Sequence, residues 1–177
     1  MSWTFSCQTD LAAPPAKVFG YLADPSTAPV IDPAVISYEP DGGTMGLGVH
    51  NTITLRVLGL RLRSVSETVA WEPPRHMAFR SIAPRHPITI DATHLFADDA
   101  DTGGTHYTWS MTITATNALG RVAGPVAAWA FRRNAHAQQE RLAQVLGSSS
   151  RRRVDGRREH HRGSDVWLPS DPGRHPL

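Results

Sequence analysis

Apolar and polar residues alternate with a period of two through most of residues 34–116, the spacing of half-buried strands rather than helices. The pattern predicts strands over 34–39, 49–58, 60–71, 76–82, 88–96 and 105–116. Turn chemistry separates them in "DGGTMGLG", the short "LGL" corner, "EPPR", "APRHP" and "DDADTGG". A looser alternation in "SWTFSCQT" predicts a first strand. The spacing then turns helical in "APPAKVFGYLAD", where Pro14 and Pro15 suit a helix start and Val18, Phe19 and Leu22 share a face. Pro25, Pro29 and Pro33 in "DPSTAPVIDP" leave room for no more than a turn of helix. The last element, over 124–146, is alanine-rich and helical, with Pro125 in its first turn and Gly147 at its end.

The order is one strand, one or two short helices, six strands and a long helix. Six successive strands without helices between them predict an antiparallel meander. Its apolar face needs a cover, and only the last helix is long enough to supply one. The reading is therefore α+β, a curved seven-stranded sheet gripping one long helix. The first helix is too short to be stable alone. It serves as a wall where sheet and long helix diverge.

These segments carry a resemblance. "LAAPPAKVFGYLADPSTAPVIDP", the two glycines of "GLGVH", "VAWEPPRHMAFRS" and "FADDADTGGTHYTW" resemble the START-like superfamily, and within it the bacterial polyketide cyclase/dehydrase and lipid-transport group. The resemblance covers about residues 3–146. It implies a helix-grip fold with an internal apolar cavity. For function it implies a range, since members bind lipids, sterols, polyketides or hormones and only some catalyse.

Strand alternation assigns an inward face. It takes Val49, Ile53, Leu55 and Val57, with Asn51, from one strand, and Val65, Val69 and Trp71, with Glu67, from the next. Met77 and Phe79 follow, with Arg80 outward. Then come Ile88, Ile90, Ala92 and Phe96, with His94 in phase, and Tyr107, Trp109, Met111 and Ile113, with the intervening Thr and Ser residues outside. Glu67 and His94 thus fall mid-strand among apolar neighbours, where a charge must be paired, hydrogen-bonded or neutralised. Either they are polar anchors or an acid/base pair for a ligand, or one or both sit near a strand end, or a bulge at "HLF" turns His94 out. The long helix shows two apolar stripes, Val126, Trp129 and Ala130 in one, and Phe131, Ala135, Leu142, Val145 and Leu146 in the other. Two stripes suit a helix that packs on the sheet along part of its length and lines a cavity along the rest. The small residues of 123–130 either leave room there or close it.

Composition adjusts this picture little. A 177-residue chain with 40% apolar content fits one domain with a sizeable core. A pI near 9.1 invites a nucleic-acid reading. Yet residues 147–177 hold seven arginines against four acidic residues, a net +3 out of the whole-chain +2, so residues 1–146 carry −1. That tail has no apolar periodicity and reads as disordered or loosely docked. The arginines from Arg151 to Arg162 offer a weak contact for an anionic surface. No run reaches the ~20 apolar residues of a membrane span. The start "MSWTFSCQTD" lacks a signal-peptide pattern, and the single Cys7 fits a reducing compartment, so the expected location is the cytoplasm. Cys7 reads as inert core. His76, His86, His94 and His106 lack zinc-site spacing, so neither a metal nor another cofactor is expected.

The leading expectation is a domain over 1–146 that binds or transports a small hydrophobic molecule, as a monomer or homodimer. Its expected lining is Ile53, Leu55, Glu67, Val69, Phe79, Ile90, His94, Tyr107, Trp109, Met111, Val126 and Trp129. One alternative is a polyketide cyclase, aromatase or dehydratase using His94 or Glu67 as acid/base. Another is an interaction module acting through the basic tail.

Overall fold

The computed structural model describes residues 1–57, 59–82 and 87–147. Strand β1 is Ser2–Leu11, followed by helices α1 (Pro15–Ala23) and α2 (Ala28–Ile31). Then come β2 (Val35–Pro40), β3 (His50–Val57), β4 (Leu60–Glu72), β5 (His76–Ser81), β6 (Ile88–Asp99), β7 (Gly104–Ala115) and helix α3 (Ala118–Leu146). Single 3₁₀ turns lie at Pro25–Thr27 and Asp41–Gly43. The strands form one sheet in the order β1-β7-β6-β5-β4-β3-β2, every neighbour antiparallel. β2 to β7 are a meander, and β1 adds beside β7. This is the helix-grip architecture, with α3 held against the inner face.

Alternation explains most of the sheet. In β7, Tyr107, Trp109, Met111 and Ile113 are buried, while Thr112 and Thr114 bond across the outer face to Thr4 and Ser2 at 2.9 and 3.1 Å. One strand breaks phase. The β4–β5 register shifts between Thr68 and Ala70, so Val69 is an extra residue that flips the face of everything before it. Trp71 points inward after the shift. Before it the inward set is Ser64, Ser66 and Thr68, and Val65 and Glu67 belong to the outer face. Glu67 stands opposite Arg80 on one side and His50 on the other.

Helix α3 starts six residues before the expected position, at Ala118, because the Asn117 side chain accepts from the Gly120 N–H at 2.9 Å and caps it. Pro125 therefore lies inside the helix rather than in its first turn, on the exposed side. The inner face of this first half carries two buried glycines. A Cβ at Gly120 would overlap the Pro87 carbonyl, and one at Gly124 would overlap the Trp3 ring. Here the small residues bring helix and sheet into contact. At the far end Gly147 leaves the helix at φ +82°, and its carbonyl accepts from Ala12 N–H at 3.0 Å. That bond ties the end of α3 to the chain just past β1.

Helix α1 gains its stability from contact with β6 and β7. Val18 is fully buried and Phe19 nearly so, with the Phe19 ring edge-on to Trp71 and Phe96 at 5.0 and 5.4 Å. Burying such a pair stabilises by roughly 2–3 kcal/mol per side chain, which nine helical residues could not supply alone. Phe96 stacks in turn on Tyr107 at 5.3 Å. This aromatic cluster plugs one end of the grip. The expected tail after Gly147 lies outside the described residues.

Candidate ligand-binding cavity

Between the second half of α3 and the inner face of β2–β7 lies a cavity of about 220 Å³, open on one side. The sheet register builds its floor in rows. Met77, His94 and Trp109 lie opposite one another across β5, β6 and β7, and Phe79, Ala92 and Met111 form the next row. Ile53 and Leu55 of β3 and Ile90 of β6 extend the apolar lining. Phe131 and Leu142 of α3 form the roof, and Leu22 and Ile31 of the short helices close an end. The wall is mostly hydrocarbon, so area burial is the main attraction it offers.

Few polar groups interrupt it. His94 Nδ1 lies 2.8 Å from the Tyr107 hydroxyl. Phe79 stands edge-on to the imidazole at 5.7 Å. Burial pushes the His94 pKa down to about 4, with the nearby His76 adding a smaller push, so the ring is neutral at pH 7. Burial likewise holds the Tyr107 phenol well above its ordinary range. Two neutral partners leave at least one hydrogen-bonding function over in either tautomer. If Tyr107 donates to Nδ1, the Nε2–H is a free donor. If Nδ1–H donates to Tyr107, Nε2 is a free acceptor and the Tyr107 O–H a free donor. Tyr38, on edge strand β2 opposite Ile53, presents a second hydroxyl to the cavity; burial raises its pKa, and it makes no hydrogen bond among the described residues.

A buried carboxylate fastens the wall. Asp32, just after α2, accepts from Ala34 N–H at 2.8 Å, from the Asn134 amide at 2.7 Å and from the Gln138 amide. The charge is met by three donors, two of them on α3, so it ties the α2 end of the cavity to the roof. Gln139 accepts from Thr9 of β1 and does the same on the other side.

Of the expected lining, Ile53, Leu55, Phe79, Ile90, His94, Tyr107, Trp109 and Met111 surround the cavity. Four residues do not. Glu67 and Val69 are displaced by the β4 bulge, and Val65 with them. Glu67 and His94 are therefore on opposite faces of the sheet and cannot act as a pair. Val126 and Trp129 are 51% and 57% exposed, because the inner face of α3 runs through Gly120, Gly124, Phe131, Ala135, Gln139 and Leu142 instead. Val145 is exposed as well. The bulge imagined at "HLF" is absent, since β6 pairs with β7 in unbroken register from Ile88 to Asp99. Asn51 is fully buried and lies outside the cavity lining; its Nδ2 donates to Thr68 at 2.9 Å and to the Val49 carbonyl, while its Oδ1 has no partner among the described residues. The side chain of Val57 and all of His86 lie outside the described residues. His76 lies 3.8 Å from Glu72, and His106 lies 2.6 Å from Asp10 and 3.7 Å from Asp99; among the described residues no group of three or more His, Cys, Asp or Glu side chains is placed to hold a metal ion. Burial raises the Cys7 pKa, the smaller opposite influence being Arg132, so its thiol is protonated at neutral pH.

Sequence reasoning missed Tyr38, Asp32, Gln138 and Gln139. The two glutamines were legible: they continue the phase of Phe131, Ala135 and Leu142. Asp32 sits in a proline-punctuated segment where phase carries no information.

Residues 2–147 match the model of a family described as polyketide cyclase/dehydrase and lipid transport. The chain belongs to that family. Among solved structures, it is similar to the ZhuI aromatase/cyclase from Streptomyces sp. R1128, with 19% identity and a TM-score of 0.66 over 87% of this chain and 96% of that one. It is also similar to BexL, a di-domain aromatase/cyclase of the BE-7585A biosynthetic pathway, with 16% identity and a TM-score of 0.67 over 83% of this chain and 50% of that one. The major latex-like protein 151 of Panax ginseng gives 16% identity and a TM-score of 0.63, covering 82% and 98%. At these identities the likeness is one of fold. No curated protein is similar enough in sequence to count as a relative. Among the described residues no helix is long and apolar enough to cross a membrane.

Proposed function

We propose that this chain binds a small hydrophobic molecule inside the cavity, held mainly by burial and oriented by one or two hydrogen bonds. The observation that carries the reading is the pairing of an apolar wall with a neutral His94–Tyr107 couple that has at least one hydrogen-bonding function left to offer. A neutral couple costs little to keep in a dry cavity and meets a hydroxyl or carbonyl equally well. Membership of a family that includes lipid transport supports the same reading. The test is native mass spectrometry on protein purified without detergent, then on protein mixed with dodecanol. A stoichiometric adduct that disappears in Ala92→Trp, where an indole fills the cavity floor, supports it. A bare mass in both samples overturns it.

The second reading is a cyclase, aromatase or dehydratase, favoured by the His94–Tyr107 contact at 2.8 Å within the cavity. The lowered His94 pKa weighs against it, since a base works best with a pKa near the working pH. Glu67 has no part in it. Turnover of a polyketide-type substrate that falls 100-fold or more in His94→Ala, with binding retained, favours this reading; unchanged turnover removes it. A role for the basic tail from Arg151 to Arg162 remains a separate proposal, tested by salt-dependent binding to anionic vesicles with and without residues 148–177.

A further inference from the structure

The apolar space does not stop at the roof. Beyond Phe131 lies a groove of about 380 Å³ between α3 and the β2–β3 edge, lined by Ala34, Arg56, Trp129, Arg133 and Asn134. Phe131 lines both spaces. Size makes the connection matter. The cavity of about 220 Å³ is smaller than the ~300–1,000 Å³ usual for a small-molecule site. Cavity and groove together come within that range.

The groove differs in chemistry from the cavity. Two arginines are among its lining residues, and among the described residues neither Arg56 nor Arg133 forms an ion pair; the only pairs there involve histidines. Arg133 lies over the Trp129 ring at 5.6 Å, which orders its plane and leaves its N–H edge to be used. Among the described residues no ion pair joins Asp32 to either arginine, and its carboxylate accepts from Ala34, Asn134 and Gln138. The apolar cavity thus shares the wall residue Phe131 with a groove lined by two arginines that form no ion pair among the described residues.

Building on the cavity reading above, we propose that groove and cavity form one site for an amphipathic oxyacid, its apolar body lying inside Phe131 and its anionic head at Arg56 and Arg133. A carboxylate and a phosphate monoester share the chemistry an arginine fork recognises. The test is calorimetric titration with dodecanoate, dodecyl phosphate and dodecanol, three probes with one tail and different heads. At least one acid should bind about tenfold more tightly than dodecanol, between the yield of an exposed ion pair and that of a desolvated fork. The acid with the larger preference names the head. The preference should shrink as salt is raised. In the Arg56→Gln, Arg133→Gln double variant it should vanish while dodecanol affinity stays as in the wild type, which also shows that the variant is folded. Equal affinity for all three probes, or a preference kept by the double variant, overturns the proposal and leaves the cavity reading standing. Failure of all three to bind overturns both.

Discussion

The two halves of α3 are built on opposite logic. In the first half the apolar residues Leu119, Val122, Val126 and Trp129 face solvent, and the face toward the sheet is glycine. In the second half the inward face mixes Phe131, Ala135 and Leu142 with the amides of Gln138 and Gln139. A rule that sends apolar residues in and polar residues out fails in both. What decides the matter is distance to the sheet. Where the helix lies on Trp3 and Pro87, only glycine fits. Where it lifts away, there is room for long side chains, and amides can reach Asp32 and Thr9. The close half holds the grip, and the raised half makes the cavity.

Several substitutions sharpen this contrast. Leu142 is nearly fully buried in the raised half, and Leu142→Ala should cost about 2–4 kcal/mol in urea unfolding. A cost near zero would mean that the roof is not packed. Gly124→Leu in the close half should cost about 2 kcal/mol despite leucine's better helix propensity, since overpacking against Trp3 outweighs the gain. If that variant is more stable than the wild type, the close approach is wrong.

His94 gives a pH signature of comparable size. Its pKa is about 4 when folded against an ordinary 6.5, so the unfolded chain takes up the proton first as pH falls. Its stabilising share is complete above about pH 6.5 and is lost between there and about pH 4. The loss should reach about 2–3 kcal/mol in denaturation midpoints compared at pH 7 and pH 4. His94→Phe should flatten that part of the slope. An equally steep slope in the variant would place the proton uptake elsewhere. The smallest effect belongs to the outer stripe: Val126→Ser should change stability by no more than about 0.5 kcal/mol, whereas a loss like that of Leu142→Ala would show that this face is covered in solution.

Most of the fold was legible because strand phase survives over long runs. β7 and β6 alternate without interruption, and every inward residue read from them faces inward. β4 was misread for a physical reason: one extra residue at Val69 inverts the face of what precedes it, and nothing in "VSETVAW" marks a bulge. The α3 stripes were legible as stripes but not as sides. Val126 and Trp129 have the periodicity of a packed face, and only the obstruction at Gly124 tells which face packs. The site was half legible in consequence. Its β3, β5, β6 and β7 residues followed from alternation, whereas Asp32 depends on how the chain turns after α2 and Tyr38 on the register shift between Val35 and Ser37 in β2.

The most direct test of the account follows methyl resonances in an NMR titration with dodecanol. Leu55, Ile90, Met111 and Leu142 line the cavity, whereas Leu119, Val122 and Val126 share the outer stripe of the same long helix. The account predicts saturable shifts in the first set and none in the second. Shifts confined to the outer stripe, with the cavity methyls silent, would contradict it.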